Sequence, residues 1–287
     1  MTSVLRAAAV QMNSTPDRAR NLATADRLTR AAAADGAELV VLPETWNLLG
    51  STEQLLAGAE PLDGPSITWA REIAAELAID LVAGSIMERA AHGEKVRNTT
   101  VHVSSSGDIE ATYRKIHLSD VEVGDVVYRE SDAAEPGDEI TVSRTGSGVE
   151  LGLSVCYDLR FPELFRILAL RGARVLVLPS AFTLATTRAH WEVLLRARAI
   201  ENQAFVVAPN QIGTSIPGEE WGGHSLIVDP WGVVLAAAPG EETFVIGDLD
   251  LEGQAEVRRT LPSLANRRPT AYRWPEGDSA VAGFSDW

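Results

Sequence analysis

Three residues of different chemistry stand just past three apolar, strand-like stretches: Glu44, Lys115 and Cys156. A thiol can attack an electrophilic carbon, a carboxylate can carry its proton, and an ammonium can stabilise an oxygen anion as it forms. Cys156 is the only cysteine among 287 residues. Residues 149–155 (V-E-L-G-L-S-V) suit a buried strand. Beyond it, Pro162 suits the first turn of a helix, and Glu163 favours the same end electrostatically. The thiol is therefore expected on a strand-to-helix turn whose outward N–H groups favour a thiolate. A lone cysteine is also an ordinary apolar core residue. A glutamate or a lysine after a strand is an ordinary loop charge. What counts is the three together, because the carboxyl ends of strands in open α/β sheets are where ligands bind.

Composition narrows the classes. The formal charge is −15 and the pI about 4.8, which argues against nucleic-acid binding. An anionic substrate would need a local positive pocket. Lys95 and Lys115 are the only lysines, so a lysine inside a motif carries weight. One cysteine excludes an internal disulfide and a cysteine-rich metal site. His92, His102, His117, His190 and His224 form no ligand-spaced cluster, so no metal and no cofactor are expected. The N-terminus does not read as a signal peptide, and no apolar run is long enough to span a bilayer. No membrane partner follows, and a cytoplasmic location is the expectation.

The elements that must position these residues alternate between helices and buried strands, the pattern of an α/β layer fold. Strands are expected over 4–12, 38–42, 81–86, 98–104, 109–113, 149–155, 174–178, 204–208, 225–228, 233–237 and 243–248. Helices are expected from 14 to about 35 and over 65–78, 162–171, 189–202 and 251–260. Residues 115–140 read as irregular loop. Residues 34–44 (A-D-G-A-E-L-V-V-L-P-E) echo residues 170–180 (L-R-G-A-R-V-L-V-L-P-S), which suggests two related halves. No low-complexity linker divides the chain, so residues 1–287 are read as one domain with a C-terminal tail over 261–287.

Three motifs, Leu42-Pro43-Glu44, Tyr113-Arg114-Lys115-Ile116-His117-Leu118 and Cys156-Tyr157-Asp158-Leu159-Arg160-Phe161-Pro162-Glu163, together resemble the nitrilase, or carbon–nitrogen hydrolase, superfamily. The resemblance covers nearly the whole chain. It implies a four-layer αββα sandwich, a Glu-Lys-Cys triad, and a homodimer formed through the helix layer after the cysteine. The dimer surface is expected to include Leu164, Phe165 and Leu168, with Trp274, Phe284 and Trp287 of the tail. His190-Trp191-Glu192 with the helix after it, Gly223-His224-Ser225 and Arg267-Arg268-Pro269 resemble the omega-amidase and deaminated-glutathione-amidase branch. Tyr157-Asp158-Leu159-Arg160 after the cysteine favours amide over nitrile hydrolysis. Glu130 matches a second family glutamate, expected to orient Lys115.

The resemblance implies a small-molecule amide substrate and a thioester intermediate. Glu44 would be general base and acid, a task for which its environment must tune a carboxylate. Lys115 and the Tyr157 N–H would face the oxyanion. Arg160 is a candidate clamp for a substrate carboxylate, or else an ion-pair partner of Asp158 or Glu163. Phe182 and Arg188 are candidate pocket residues. Thr187 stands where relatives carry glycine, which leaves the pocket's shape open. Three readings follow: an amidase for a carboxylate-bearing amide, an N-carbamoyl amino acid amidohydrolase, and a catalytically silent binding protein on the same fold.

Overall fold

A computed structural model describes residues 3–89, 95–123, 126–216 and 219–272. β1 (Val4–Gln11) leads to α1 (Arg18–Ala34), capped by Asp17, whose carboxylate accepts from the Arg20 N–H at 3.1 Å. Gly36, at φ 87°, turns the chain into β2 (Leu39–Val41). α2 (Thr52–Ala57) begins at a reciprocal Ser51–Gln54 capping box, and α3 (Pro65–Leu77) starts on a proline at its first position. β3 (Asp80–Val82), β4 (Ile86–Arg89), β5 (Val96–Val103) and β6 (Ile109–Arg114) complete the first half. The single strand expected over 81–86 is two, because Gly84 (φ 41°) passes against the preceding β2 loop. A Cβ there would lie 2.0 Å from the Pro43 carbonyl oxygen.

β7 (Asp120–Val123) and β8 (Val126–Arg129) form a hairpin inside the segment expected to be irregular. Then come β9 (Val142–Arg144), β10 (Glu150–Leu153), α4 (Pro162–Leu170), β11 (Val175–Val177) and the single turn α5 (Leu184–Thr186). α6 (Glu192–Asn202) is shorter than expected, since residues Thr187–Trp191 form a π-turn. β12 (Phe205–Ala208) precedes a second hairpin, β13 (Ile212–Ile216) with β14 (Glu219–Gly222). β15 (Leu226–Val228), β16 (Val234–Ala237), β17 (Thr243–Asp250) and α7 (Leu251–Thr260) follow.

Two sheets result. One has the order β17-β1-β2-β3-β5-β4, with β6 on β5, and the other β16-β15-β12-β11-β10-β9. Parallel β1-β2-β3 and parallel β10-β11-β12 form their centres. Side chains alternate across each strand. Ala8, Val10, Val40 and Leu81 pack with Ala25 and Leu28 of α1 and Ile67 and Ile73 of α3. Ala7, Ala9, Leu39, Val41 and Val82 face the other way, into one core with Leu151, Leu153 and Ile227 of the second sheet. α4 and α6 cover the far side of that sheet, so the order is helices, sheet, sheet, helices, the expected αββα sandwich. Between the sheets, buried His102 joins Asp80 (3.2 Å) to Ser143 (2.6 Å).

The expected dimer contacts on α4 need correction. Leu164, Phe165 and Leu168 are buried within the monomer. Ile167 and Leu170, on the opposite side of the same helix, are the exposed ones. Trp274, Phe284 and Trp287 lie outside the described residues. No described helix is long and apolar enough to cross a membrane.

Candidate active site

Glu44 stands past the carboxyl end of β2, and its backbone is fixed on both sides. Thr45 adopts φ 51°, a left-handed conformation that costs about 1–3 kcal/mol for a residue other than glycine. The Thr45 N–H donates to Ser85 Oγ (3.2 Å), and Gln211 Nε2 donates to the Glu44 carbonyl (2.8 Å). Lys115 follows β6, and its N–H donates to the Asn98 carbonyl at 2.9 Å. Lys115, one residue past β6, thus continues the β5–β6 register opposite Asn98 of β5. Glu130 comes from the 3₁₀ turn Glu130–Asp132 behind β8.

These residues meet in one buried cluster. Lys115 Nζ lies 3.0 Å from Glu44 Oε1 and 2.7 Å from Glu130 Oε2. Asn98 Nδ2 donates to Glu44 Oε1 (2.8 Å) and to Glu130 Oε1 (2.9 Å). The Ser119 N–H donates to Glu130 Oε2 (2.7 Å), and the Ala181 N–H donates to Glu44 Oε2 (2.9 Å). Burial alone would pull the Lys115 ammonium down. The facing Glu130 and Glu44 carboxylates outweigh burial and hold it well above its ordinary value. The two carboxylates thus favour the charged form of Lys115.

Cys156 sits at φ 47° between β10 and the 3₁₀ turn Cys156–Arg160. That strained conformation is held by neighbours. The Cys156 N–H donates to the Pro179 carbonyl (2.9 Å), and the Val155 N–H to Asp158 Oδ2 (2.8 Å). The Tyr157 N–H lies at the start of the turn, where a helical ladder supplies no acceptor. The N–H groups expected to favour a thiolate are opposed here by burial and by a neighbouring carboxylate. Burial pushes the Cys156 thiol well above its usual value, and the Glu44 carboxylate adds to this, while Lys115 and the Ala181 N–H pull the other way. The turn's few free N–H groups do not offset burial beside the Glu44 carboxylate, and the balance favours the thiol form of Cys156.

Arg160 pairs with neither Asp158 nor Glu163. Its guanidinium stacks over the Tyr157 and Phe182 rings, at 5.5 and 5.6 Å, and donates to His190 Nδ1 at 3.3 Å. The π-turn before α6 carries His190, an irregularity of the kind found at functional sites. Phe182 is buried against Trp191. Arg188 is not brought to the cluster: it is exposed and lines a surface groove with Glu192, Val193 and Arg196. Thr187 takes up its extra bulk against β14, where a Cβ on Gly222 would lie 2.2 Å from it.

Two residues escaped the reading of the sequence as contributors. Asn98 looked like any polar strand residue. Asp158 is fully buried and accepts from Tyr113 Oη (2.7 Å), the His117 N–H (3.2 Å) and the Val155 N–H (2.8 Å), with His117 Nδ1 at 2.7 Å. It ties the lysine motif to the cysteine turn. The signal was present, since both ends lie inside the quoted motifs. Among the described residues, no group of three or more His, Cys, Asp or Glu is placed to hold a metal. His92 lies outside them.

A buried carboxylate–ammonium pair set against one thiol, at the strand ends of a double-sheet sandwich, defines a hydrolase of the cysteine-dependent class. The chain belongs to the carbon–nitrogen hydrolase family, whose model matches residues 6–259. It is accordingly an enzyme that hydrolyses non-peptide carbon–nitrogen bonds. An omega-amidase of Mus musculus is 40% identical over 271 residues, covering 94% of this chain and 97% of the relative. A deaminated glutathione amidase of Homo sapiens is 41% identical over 270 residues, covering 92% and 83%. The crystal structure of the C. elegans NitFhit protein superposes with a TM-score of 0.88 at 36% identity, covering 95% of this chain and 67% of that one.

Proposed function

We propose that the protein is a cysteine amidase that converts a small, carboxylate-bearing amide to acid and ammonia or amine through a thioester. The observation that carries this is the buried Glu44–Lys115 pair, 3.0 Å apart and close enough to the lone thiol of Cys156 that both charges act on it. Glu44 takes the thiol proton as sulfur attacks the amide carbon. The oxyanion forms between Lys115 Nζ and the Tyr157 N–H, in a buried site where each donor contributes about 3 kcal/mol or more. Glu44 returns the proton to the departing nitrogen, then takes one from the water that cleaves the thioester. Glu130 keeps Lys115 in place and balances its charge.

Arg160 supports the carboxylate on the substrate. It is a half-exposed cation beside Tyr157 and Phe182, with no acidic partner among the described residues. Relatives named omega-amidase and deaminated glutathione amidase fit a small amide of this kind. A panel of omega-amides, N-carbamoyl amino acids and neutral aliphatic amides, read by ammonia release, tests the assignment. Arg160→Gln is expected to raise KM about tenfold for the carboxylate substrate and far less for its neutral analogue. Faster turnover of neutral amides or N-carbamoyl amino acids would reject the substrate class while leaving the thiol mechanism in place.

The chain acts as one domain, a reading supported by a cluster drawn from both sheets. A dimer through the α4–α6 layer is supported by the exposed Leu170, Val193, Ile200 and Trp231. Arg196 Nε donates to the Gly232 carbonyl, which places Trp231 beside that helix. Sedimentation at micromolar concentration as a 30.8 kDa monomer would exclude it. A cytoplasmic location remains part of this proposal.

A further inference from the structure

The two oxygens of Glu44 are used differently. Oε1 accepts from Lys115 Nζ at 3.0 Å and from Asn98 Nδ2 at 2.8 Å, which fills both of its lone-pair sites. Oε2 accepts only the Ala181 N–H, at 2.9 Å, which leaves one of its lone-pair sites open. Asn98 is 1% exposed, and its second Nδ2 hydrogen goes to Glu130 Oε1 at 2.9 Å. The reverse orientation of the amide would set Oδ1 against two carboxylate oxygens, so the donors must point inward. As a result Oδ1 is buried with no partner. The fold leaves an acceptor unsatisfied to keep two uncharged donors between two carboxylates.

We propose that Asn98 is a positioning residue that occupies Oε1 of Glu44 and so makes Oε2 the oxygen that carries the catalytic proton. In the first step the proton passes from Cys156 Sγ to Glu44 Oε2. The sulfur–carbon bond forms, and the carbonyl π pair moves onto oxygen. Without Asn98, the carboxylate of Glu44 is free to rotate about its last bond and to meet the thiol with an oxygen that Lys115 also holds. The Asn98 amide supplies both donors without adding a charge to the cluster. The inference rests on the Glu44–Cys156 mechanism proposed above.

Three variants test it, with folding checked by thermal melting. Asn98→Ala is expected to lower kcat about 10- to 100-fold, the usual effect of losing hydrogen bonds to charged groups, with KM changed by no more than about threefold. Asn98→Ser should lose activity to a similar extent, since its shorter side chain cannot bridge both carboxylates, and it decides the matter should the alanine variant fail to fold. Asn98→Asp carries the distinctive signature. Its protonated carboxyl can donate, but its ionised form adds a third negative charge beside Glu44 and Glu130. The kcat of this variant, relative to wild type, should therefore fall as pH rises across the neutral range. A purely structural role for Asn98 would lower activity through stability and leave the pH profile parallel to wild type. That parallel profile, or a kcat within threefold of wild type in the alanine and serine variants, would overturn the inference. Cys156→Ala separates the two levels: if it remains active the parent mechanism fails, whereas an inactive Cys156→Ala beside normal Asn98 variants defeats this inference alone.

Discussion

Residues 34–44 and 170–180 are built alike. Each has a helix that ends near a left-handed glycine (Gly36 at φ 87°, Gly172 at φ 101°), then a three-residue central strand, then Leu-Pro. The leucine N–H groups even make the same bond, Leu42 to the Val82 carbonyl and Leu178 to the Val207 carbonyl, both at 3.0 Å. Past the proline they diverge. Glu44 extends its side chain to Lys115, whereas Ser180 turns its hydroxyl back onto the Leu178 carbonyl at 3.1 Å. The second copy contributes only backbone: the Pro179 carbonyl holds Cys156, and the Ala181 N–H reaches Glu44 Oε2. A repeated scaffold has aimed two strand ends at one point, and a single residue after each proline decides which end supplies the base and which supplies its support.

Changes at the first copy and its partners should therefore cost far more than changes at the second. The largest effect is expected for Glu44→Gln, a loss of about 10³-fold or more in kcat. The same variant removes the carboxylate that holds the Cys156 proton on, so alkylation of Cys156 by iodoacetamide should persist while turnover is lost. Turnover and alkylation falling together would indicate a collapsed site and undo the assignment. Lys115→Arg keeps the charge but replaces a point donor with a planar fork. It should lose more than tenfold in kcat, a deficit above about 1.4 kcal/mol, with the melting curve little changed.

A smaller effect concerns stability against pH. The buried Cys156 thiol keeps its proton well above the usual value, while in the unfolded chain a cysteine ionises near about 8.5. Above that pH the unfolded state binds fewer protons than the folded one, so stability falls as pH rises, by up to about 1.4 kcal/mol per unit. Cys156→Ser should lack this slope, and urea unfolding at about pH 8 and about pH 10 would show it. Equal slopes for the two proteins would mean that the thiol is not held as described. The smallest effect is expected from Ser180→Ala, whose hydroxyl bonds only its own loop. A stability change within about 1.5 kcal/mol and an essentially unchanged kcat are expected. A large kcat loss there would mean that the two copies are functionally closer than their contacts show.

Glu44, Lys115 and Cys156 were legible because chemistry-bearing side chains stood at strand ends, and apolar strands are easy to read; Glu130, in a segment read as loop, was legible only through the family resemblance. The support around them was not. Asn98 sits inside a strand and carries no sign in the sequence of facing two carboxylates, which requires the register of β5 on β6. The Ala181 contribution is a backbone N–H, to which side-chain chemistry is blind. α4 is apolar on both faces, so its sequence could not say that Leu164, Phe165 and Leu168 turn inward and Ile167 and Leu170 outward. The protonated Cys156 escaped for a similar reason: a turn's N–H groups can be inferred locally, but burial beside a carboxylate from another sheet cannot. Arg188 was placed by resemblance to a family loop that borders the pocket, and the turn through Thr187–Trp191 leaves it exposed instead.

The hydrogen bond from the Ala181 N–H to Glu44 spans the gap between the two sheets. It makes Glu44 a gauge of whether those sheets are docked. Any partial opening that separates them breaks this bond before either sheet need lose a strand, so turnover should vanish at denaturant concentrations that leave the helical signal intact. Hydrogen exchange at the Ala181 amide would then report that sub-global opening directly, with a protection that follows inter-sheet docking rather than the fraying of its own loop.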